Sequence, residues 1–576
     1  MATLAINEGI NSSVVVTDGG STVFALQEER VCRVKNFMGF PHEALAFTLE
    51  HLGLSAGDVD TVCLSNLTSP RFTKESFYRW YDETADRPLR GSIENERARS
   101  VGRWVRQRAG SPFAAGKPDW IAESLGRHGL ADVPVRRTHH HLNHAASAYF
   151  GLRADAEAPY LVLTLDGGGD GDCSHVYRAE QGRLELLATT AGGHSLGQLY
   201  ARVTHLMGMT PHEHEYKVMG LAPYADPDHV EPLLAKLRTY LDLDERNPLA
   251  FQRGTAEPTH MQQPRLQYDF RRARFDTLSG AIQAFAEELL CRWVSAAIRE
   301  TGITRVLASG GVFMNVKANK LIAELPEVEY FDVFPSCGDE SLPFGAAWLD
   351  NSAAIGGRIG RDVLPTYSLG PEAAYDLDEA TGRYAGRIEL TKLDDPEAVC
   401  AELIAEGKIV ARCAGRMEFG ARALGNRSIL ADPSTTKVVP VINRMIKHRD
   451  FWMPFAPAML AERTREYVVV PRTIPADDPS PFMMHTFDTT ARRDDLAAAV
   501  HPQDGTARAQ TVSAAAPEFH RVISEFHRRT GRGVVLNTSF NLHGFPIVMG
   551  ACDAVDVLLR SSLESLIVDD VLITKR

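Results

Sequence analysis

Four histidines lie within six residues of the stretch THHHLNHAASAYF, at 138–150. Residues four apart share one face of an α-helix, and the alanines that follow are strong helix formers. We therefore expect His140 and His144 to project from one helix face, as a pair of imidazoles suited to Zn, Fe or a similar divalent ion. His141 with His144 is a weaker alternative, and an ordinary solvated helix start would need no metal.

Two aspartates at predicted strand ends could complete such a site. Asp166 ends the apolar strand of TLDGGGDGD, and Asp339 follows the strand before PSCGD. Carboxylate oxygens are hard ligands, and two histidines with two aspartates leave coordination positions open for a substrate. The sequence predicts one metal site made of these two aspartates with His140 and His144.

Glycine turns follow the same strands. Gly167 and Gly168 come directly after Asp166, and Gly310 and Gly311 of LASGGVFMN lie between a strand and a helix. Glycine lets backbone N–H groups approach an anion closely, and a helix N-terminus attracts phosphate. These turns are expected to bind a phosphate group.

The last third of the chain contains a second set of candidate binding residues. Three arginines lie among glycines in GRMEFGARALGNRS (415–428), followed by IKHRDFWMPFAP (446–457), DGTARAQTV (504–512) and VVLNTSFNLHGFPIV (534–548). Guanidinium groups bind phosphate through two parallel hydrogen bonds. A salt-bridged surface is the alternative, but such surfaces are rarely embedded in glycine and apolar residues.

The surrounding sequence alternates between strand and helix patterns. Strand meanders at 1–30 and 159–192 are separated by helical sequence, and strong helical periodicity at 280–300 leads into the strand RVLASGG. This pattern predicts a duplicated α/β domain with a cleft between its halves.

The chain has 576 residues, more than a single hydrophobic core usually accommodates. Proline, glycine and polar residues at 364–376 are typical of an interdomain connector. We therefore expect residues 1–365 to form one domain and residues 366–576 a second.

Composition excludes several classes of function. A net charge of −12 argues against nucleic acid as the main ligand. The apolar runs are too short to span a bilayer, and the first residues lack the features of a signal peptide, so a cytoplasmic protein is expected. The eight cysteines form no CxxC pair, which indicates neither a disulfide framework nor a zinc knuckle.

Eight motifs occur in the order found in O-carbamoyltransferases of the nodulation-protein-U type, a family that includes antibiotic-tailoring enzymes. They are EER with Lys35, HHLNHAASAY, EYKVMGLAPYA, SGGVFMN, FGARALGNRSILADP, INRMIKHRDFWMPFAP, DGTARAQTV and LNTSFN. The chain resembles this family over nearly its whole length, and only residues 45–130 match none of its motifs.

The resemblance implies an amino domain of the actin/sugar-kinase/Hsp70 superfamily, which is ribonuclease-H-like, and an α+β carboxyl domain similar to threonylcarbamoyl-adenylate synthase. It implies that the carboxyl domain makes carbamoyl-adenylate from carbamoyl phosphate and ATP with Mg²⁺, releasing phosphate and pyrophosphate. The amino domain would then transfer the carbamoyl group to a hydroxyl of a natural product, in antibiotic biosynthesis, and release AMP.

Matched to the motifs, the family's functional residues fall on positions in both domains. The iron(II)-type site falls on His140, His144, Asp166 and Asp339, and the adenylate site on Gly167, Gly168, Gly310, Gly311 and Asn315, with Lys217 nearby. In the carboxyl domain the implied ligands are Arg416, Arg422, Lys447, Arg449, Arg508, Asn537 and Ser539. We further expect KHRDFW to be a loop or strand end, so that Lys447 and Arg449 reach one ligand.

Two departures from the family motifs bear on the chemistry. Relatives carry a histidine before the first D-x-S turn that resembles the base for the acceptor hydroxyl, whereas this chain reads NEGINSSVVV and its first histidine is His42. Glu8, Asn11 or a histidine from elsewhere would take that role, or the oxygen is deprotonated differently; Lys35 is a further catalytic candidate. In addition, FGPRALG reads FGARALG and FRPFAP reads FWMPFAP, which removes one possible phosphate contact.

Three other functions compete with carbamoyl transfer to a small molecule. A sugar kinase of the same superfamily would explain the cleft but not the histidine pair. Threonylcarbamoyl transfer to tRNA is disfavoured by the net charge of −12. A non-enzymatic actin-like scaffold would need no arginine–glycine cluster.

The stretch between Asn66 and Pro112 contains aromatic residues at helical spacing. Phe77, Trp80 and Tyr81 could form one apolar stripe on a helix. Such a helix either packs on the amino domain or forms a mobile lid whose aromatics cover a bulky acceptor.

Overall fold

The computed structural model describes residues 2–69, 73–85, 120–152, 155, 157–352, 360, 363–447 and 449–576. The side chain of the predicted ligand Lys447 and most of the predicted insertion lie outside this description.

The first sheet is built from the amino-terminal meander. Its strands are β1 (Ala2–Asn7), β2 (Ser13–Asp18), β3 (Ser21–Gln27), β4 (Val59–Leu64) and β5 (Val135–Arg137), in the order β3-β2-β1-β4-β5. The first three strands pair antiparallel, β4 runs parallel to β1, and β5 runs parallel to β4.

The second sheet repeats this arrangement. Its strands are β6 (Tyr160–Gly169), β7 (Asp172–Glu180), β8 (Arg183–Ala191), β11 (Arg305–Ser309) and β12 (Tyr330–Val333), in the order β8-β7-β6-β11-β12, while β9 (Leu241–Leu243) and β10 (Phe251–Arg253) form a separate pair. The meander is again antiparallel, and β11 and β12 are parallel to β6. The same order and directions in both sheets confirm the predicted duplicated α/β fold.

Helices surround and separate these sheets. In the first 365 residues they are α1 (Glu28–Cys32), α2 (His42–Leu52), α3 (Lys74–Ala85), α4 (Trp120–Gly126), α5 (His140–Leu152), α6 (Leu196–Leu206), α7 (Glu215–Leu221), α8 (Pro227–Leu237), α9 (Gln263–Asp269), α10 (Phe275–Thr301), α11 (Val316–Ala323) and α12 (Leu342–Asp350). The predicted helix at 280–300 lies within α10. Among the described helices, none combines the length and the apolar character needed to cross a membrane.

Helices α5 and α12 pack against each other between the sheets. Helix α5 lies on β6, β7 and β11, and α12 lies on β1, β2 and β4. Their closest approach is at Gly345, where a β-carbon would lie 2.0 Å from the carbonyl oxygen of Asn143. Because only glycine permits this approach, the packing fixes the register of the two helices and of the side chains they present to the cleft.

The third sheet lies in the carboxyl-terminal part. It has the order β14-β24-β23-β15-β17-β22-β18-β21, with mixed directions. The remaining strands are β13 (Ser368–Glu372), β14 (Ile388–Lys392), β15 (Val410–Cys413), β16 (Arg416–Glu418), β17 (Arg427–Ala431), β18 (Ala456–Leu460), β19 (Phe487–Asp488), β20 (Thr506–Ala507), β21 (Gln510–Val512), β22 (Val534–Ser539), β23 (Ser565–Val568) and β24 (Val571–Lys575). Helices α13 (Leu377–Arg383), α14 (Pro396–Ala405), α15 (Val438–Pro440), α16 (Thr464–Tyr467), α17 (Pro517–Thr530) and α18 (Ala551–Arg560) accompany them.

The turn that carries Arg422 is fastened to the first 365 residues. Arg30 donates a hydrogen bond to the carbonyl of Gly420 (2.6 Å), and the Gly420 amide donates to Gln27 Oε1 (3.1 Å). The next amide, that of Ala421, donates to Ser336 Oγ (3.1 Å). The two parts of the chain therefore meet at this turn, while the division between residues 365 and 366 stays a prediction.

Candidate functional site

The two predicted histidines and two predicted aspartates lie together between the sheets. His140 and His144 project from the first turns of α5, and Asp166 Oδ2 lies 3.6 Å and 3.2 Å from their Nε2 atoms. Asp339, just before α12, places Oδ1 3.7 Å from His140 Nε2 and 3.8 Å from His144 Nε2. Each of the four offers one ligand atom within 4.8 Å of the others, so the group could hold a single ion. We call it the His/Asp cluster.

Neighbouring polar groups fix the orientation of both imidazoles. His140 Nδ1 donates to Asn66 Oδ1 (3.0 Å), and His144 Nδ1 lies 3.2 Å from Ser309 Oγ. A proton on Nδ1 leaves the Nε2 lone pair free for a metal. His140 Nε2 is buried and has no hydrogen-bond partner among the described residues, as a ligand atom that awaits a cation would be. The donor set fits a divalent metal ion.

The two carboxyl groups reinforce this interpretation. Burial and the nearby Asp166 carboxylate raise the pKa of Asp339 well above its ordinary value. Burial would also raise the pKa of Asp166, but the neighbouring His140 and His144 outweigh it and hold that pKa well below its ordinary value. Two interacting buried carboxyl groups cannot both ionise without compensation, and a divalent cation would provide it.

The two glycine turns meet at Asp166. Gly310 has a φ of +107°, and a β-carbon there would lie 2.3 Å from the carbonyl oxygen of Leu165. A β-carbon on Gly311 would lie 3.2 Å from Asp166 Oδ1. Any side chain at Gly310 would thus collide with β6, which explains the glycine and places the turn's backbone beside the His/Asp cluster.

Asn315 has local partners. Its Oδ1 accepts from the amide of Ala318 (3.1 Å) and so caps α11, and its carboxamide exchanges two hydrogen bonds of 3.0 Å with Gln283. The predicted adenylate ligand is thus already engaged in positioning α11. Lys217 lies at the junction with the carboxyl-terminal part, with its Nζ 3.1 Å from Asp450 Oδ2.

Three predicted arginines form a second cluster. Burial lowers the pKa values of Arg422, Arg449 and Arg508, and the positive charges of the first two lower that of Arg508 further. The pKa of Arg449 falls to about 10. In the described part of the chain none of the three forms an ion pair, and the Nε atom of each is buried without a hydrogen-bond partner. We call this group the arginine cluster; like charges held together without an ion-paired carboxylate are suited to an anion.

Two other predicted ligands of the carboxyl-terminal part, Arg416 and Ser539, have hydrogen-bond partners within the protein. The guanidinium of Arg416 donates to the carbonyls of Val23, Leu369 and Gly370. The pairing of β13 with β16 turns Arg416 towards these backbone carbonyls, and its role as a phosphate ligand stays a prediction. Ser539 Oγ donates to Asn541 Oδ1 (2.7 Å).

Asn537 lies next to the arginine cluster. Its Nδ2 donates to the carbonyl of Ala423, the residue after Arg422, at 3.0 Å and to Gln510 Oε1 at 2.8 Å. Its buried Oδ1 has no partner in the described structure. Asn537 can therefore hold the arginine turn in place and still accept a hydrogen bond from a ligand.

The segment KHRDFW divides into two parts. Lys447 ends a π-helix at Val441–Lys447, because Ile442 and Ile446 bury one helical face, so the prediction of a loop is wrong there. Arg449 lies in the loop that follows, as predicted, with its guanidinium donating to the carbonyls of Met453 and Pro454.

Sequence motifs alone did not reveal Asn66, Ser309 or Tyr216. Tyr216 interacts electrostatically with Arg422 and Arg449, and the other two orient the metal-binding imidazoles. A signal existed for Asn66 and Ser309, since each follows or ends a parallel strand, where ligand sites concentrate in α/β sheets.

Comparison with known proteins decides the family. The family model described as "Carbamoyltransferase N-terminus" matches residues 7–348, and "Carbamoyltransferase C-terminus" matches residues 401–575. The chain belongs to the carbamoyltransferase family. It is 31% identical to nodulation protein NolNO of Sinorhizobium fredii over 98% of this chain and 79% of that protein, and 33% identical to nodulation protein NolO of Bradyrhizobium diazoefficiens over 76% and 79%.

Among solved structures, this carbamoyltransferase is similar to component A of the (R)-2-hydroxyglutaryl-CoA dehydratase of Acidaminococcus fermentans. The identity is 13%, the match covers 62% of this chain and 99% of that one, and the TM-score is 0.32. The resemblance inferred from the motifs is confirmed by the family match: the chain is an enzyme of the carbamoyltransferase type.

The candidate base Glu8 is connected to the predicted metal ligand His140 through one residue, Asn66. Its side chain is buried at the end of β1, where Oε1 accepts from Ser69 Oγ (2.6 Å) and Arg137 Nη1 lies 3.8 Å away. Burial raises the pKa of Glu8 despite those contacts and a hydrogen bond from Asn66, the residue that orients His140. Glu8 Oε2 has no hydrogen-bond partner among the described residues, so it is able to accept a proton.

The other two catalytic candidates differ from Glu8 in chemistry. Asn11 adopts a left-handed φ of +51°, and its buried Oδ1 has no partner in the described structure, but an amide is not a base. Burial lowers the pKa of Lys35, whose surroundings include Glu213 and Lys217. A buried lysine with a lowered pKa can act as a base or bind an anion, so a catalytic role for Lys35 stays a prediction.

The three aromatic residues of α3 pack on the amino-terminal part. Tyr81 is 1% exposed, and its hydroxyl lies 2.9 Å from Gln198 Oε1 and 2.8 Å from His212 Nε2. The guanidinium of Arg202 lies 4.1 Å from the centroid of the Tyr81 ring and 4.7 Å from that of Trp80. For Phe77, Trp80 and Tyr81 the structure therefore favours a packed helix over a lid.

Proposed function

We propose that this carbamoyltransferase makes carbamoyl-adenylate from ATP and carbamoyl phosphate and transfers the carbamoyl group to a hydroxyl of a small natural product, in antibiotic biosynthesis. One observation supports this most directly: one chain contains a cluster suited to a cation and a separate cluster suited to an anion. A reaction with a phosphate-rich first step and a metal-assisted second step uses both.

In the first step, water would cleave carbamoyl phosphate into phosphate and carbamate. A carbamate oxygen then attacks the α-phosphorus of ATP, with Mg²⁺ bound to the nucleotide, and the bond to pyrophosphate breaks. Arg422, Arg449 and Arg508 would neutralise the negative charge that these phosphates bring together. The free Oδ1 of Asn537 offers an acceptor beside them.

In the second step, the backbone amides of the turns at Gly167 and Gly310 would bind the phosphate of carbamoyl-adenylate. A divalent ion held by the His/Asp cluster would supply a Lewis acid for the carbamoyl oxygen. Two imidazoles with two carboxylates suit Fe²⁺ or a similar divalent ion.

Glu8 is the group best suited to receive the acceptor's proton. As the proton moves from the acceptor hydroxyl to Glu8, the acceptor oxygen bonds to the carbamoyl carbon and the carbon–oxygen bond to AMP breaks. The proposal for Glu8 rests on its unpartnered Oε2 and on its connection to His140 through Asn66.

The test separates the two steps. Purified protein with ATP should release pyrophosphate only when carbamoyl phosphate is added. His144→Ala should keep that rate and lower carbamoyl transfer by at least about 100-fold, because it loses a metal ligand. The matched control is His229→Ala, which removes an exposed histidine of α8 and should change neither step.

Release of ADP without pyrophosphate in the presence of a sugar would instead identify a kinase. Loss of both steps in a folded His144→Ala protein would contradict the division of labour between the clusters.

A further inference from the structure

A second group of metal-ligating side chains lies beside the His/Asp cluster, and the proposed carbamoyl transfer does not use it. His139 immediately precedes α5, whereas Asp172 and His175 lie on β7. Asp172 Oδ2 is 2.9 Å from His175 Nε2 and 3.6 Å from His139 Nε2. The two imidazoles stack with centroids 4.8 Å apart, and one ligand atom from each of the three residues lies within 4.8 Å of the others.

The three residues are oriented before any ion binds. His175 Nδ1 lies 2.8 Å from the hydroxyl of Tyr177, which leaves Nε2 directed to Asp172. The side chain of His175 is 4% exposed, but those of His139 and Asp172 are 23% and 27% exposed. The group therefore has a fixed inner ligand and an outer side open to water, as metal sites with a solvent ligand have.

We propose that His139, Asp172 and His175 bind a second divalent cation of the Zn²⁺ class. Metal–ligand bonds of about 2.0–2.1 Å in a tetrahedron separate neighbouring ligand atoms by about 3.4 Å. The 3.6 Å separation already matches this value, and the 2.9 Å separation has to open by a few tenths of an ångström. Two imidazoles favour Zn²⁺ over Mg²⁺ or Ca²⁺, which take oxygen ligands.

Such an ion would position the first metal ligand. His139 is the residue before His140, and Asp172 closes the turn whose Asp170 accepts from the backbone amide of His140 (2.9 Å). His141 lies between the two groups, with its ring 5.2 Å from that of His140 and 4.8 Å from that of His175. The ion would therefore fasten the start of α5 to the turn between β6 and β7. The alternative is a purely hydrogen-bonded aspartate–histidine group.

The test counts bound metal. Full-length protein stripped by a chelator is dialysed against Zn²⁺ without nucleotide or carbamoyl phosphate, and bound metal is measured by mass spectrometry. His175→Ala and Asp172→Asn should each bind one equivalent less than the wild type, and His144→Ala should also bind one less. Combining His175→Ala with His144→Ala should remove two equivalents, while His229→Ala should remove none.

Asp172→Asn guards against misfolding, because an amide keeps the shape of the carboxylate and can hydrogen-bond to His175 but is a poor metal ligand. Circular dichroism of the stripped proteins checks the fold. If folded Asp172→Asn and His175→Ala bind as much zinc as the wild type, the proposal is wrong. His139, Asp172 and His175 would then be a purely hydrogen-bonded group. Because no carbamoyl substrate is present, this result is independent of whether carbamoyl-adenylate is the intermediate.

Discussion

The two charge clusters of this carbamoyltransferase differ in the ion that they would bind: the His/Asp cluster is suited to a cation and the arginine cluster to an anion. In the His/Asp cluster imidazoles face carboxyl groups at 3.2–3.8 Å, so the side chains partly compensate one another. In the arginine cluster Arg422 and Arg449 lower the pKa of Arg508, and no carboxylate in the described residues forms an ion pair with any of the three. The first arrangement is stable even without a cation. The second lowers the free energy of unfolding as long as no anion is bound.

The largest effect on carbamoyl transfer is expected at Glu8, the proposed proton acceptor beside the His/Asp cluster. Glu8→Gln should lower carbamoyl transfer by about 10²–10⁴-fold, the usual contribution of a general base, and leave pyrophosphate release unchanged. Burial raises the pKa of Glu8 above the ordinary glutamate value of 4.5, so the wild-type transfer rate should fall with acidification at a pH above 4.5. The rates of pyrophosphate release and of carbamoyl transfer are measured as a function of pH. The transfer rate of the variant should not show the fall at low pH.

Stability supplies the control for Glu8→Gln. A raised pKa means that the folded chain holds the proton more tightly than the unfolded chain, so ionised Glu8 lowers stability as the pH rises above 4.5. At pH 7 the variant should therefore melt no lower than the wild type. If the transfer rate of Glu8→Gln still falls at low pH, a group other than Glu8 receives the proton of the acceptor hydroxyl.

The next effect concerns the arginine cluster. Arg508→Ala should lower pyrophosphate release by about 10²-fold, the usual cost of removing one group that stabilises transition-state charge. Its free energy of unfolding should stay the same or rise, because the substitution relieves repulsion from Arg422 and Arg449. Initial rates and urea denaturation measure the two quantities.

Arg427 is the control, since it is a buried arginine from the motif of Arg422 but has the opposite environment. It is fully buried, and its guanidinium donates to the carbonyls of Pro371, Ala414, Gly415, Asn426 and Met549. Arg427→Ala should lose about 3 kcal/mol or more of stability, because several buried carbonyls lose their donor. If Arg508→Ala is destabilised equally, the arginine cluster is structural and the comparison fails.

The smallest effect is expected at Tyr81, which is not one of the His/Asp or arginine cluster residues and reaches Gly167 only through Gln198 and His212. Tyr81→Phe removes a buried hydroxyl from Gln198 and His212 and should cost about 1–2 kcal/mol of stability. The KM for the acceptor should not change, because the ring packs on the amino-terminal part. A raised KM with wild-type stability would restore the lid interpretation for α3.

The His/Asp cluster could be predicted from the sequence because local rules place its members. Spacing of four residues directs His140 and His144 to one helix face, and strand ends place Asp166 and Asp339 in the cleft. Asn66 could not be assigned in this way, since it reaches His140 only through the folding of residues 74 positions apart.

The arginine cluster shows the same limit. Composition indicated an anion site, but it could not separate Arg416 and Arg427, which serve backbone carbonyls, from Arg422. The difference arises from the pairing of β13 with β16 and of β15 with β17, which links distant segments.

Because α5 packs on α12, a metal ion held by the His/Asp cluster would be a mechanical link between the duplicated halves. His140, His144 and Asp166 belong to elements of the second sheet, whereas Asp339 leads into α12, which lies on the first. A rotation of one sheet against the other would pull Asp339 away from the other ligands and weaken metal affinity. By thermodynamic reciprocity an ion held there would favour the present arrangement of the two sheets by the same free energy. A bound ion would thereby act as an effector of interlobe geometry, and its loss would shift that geometry even with every side chain intact.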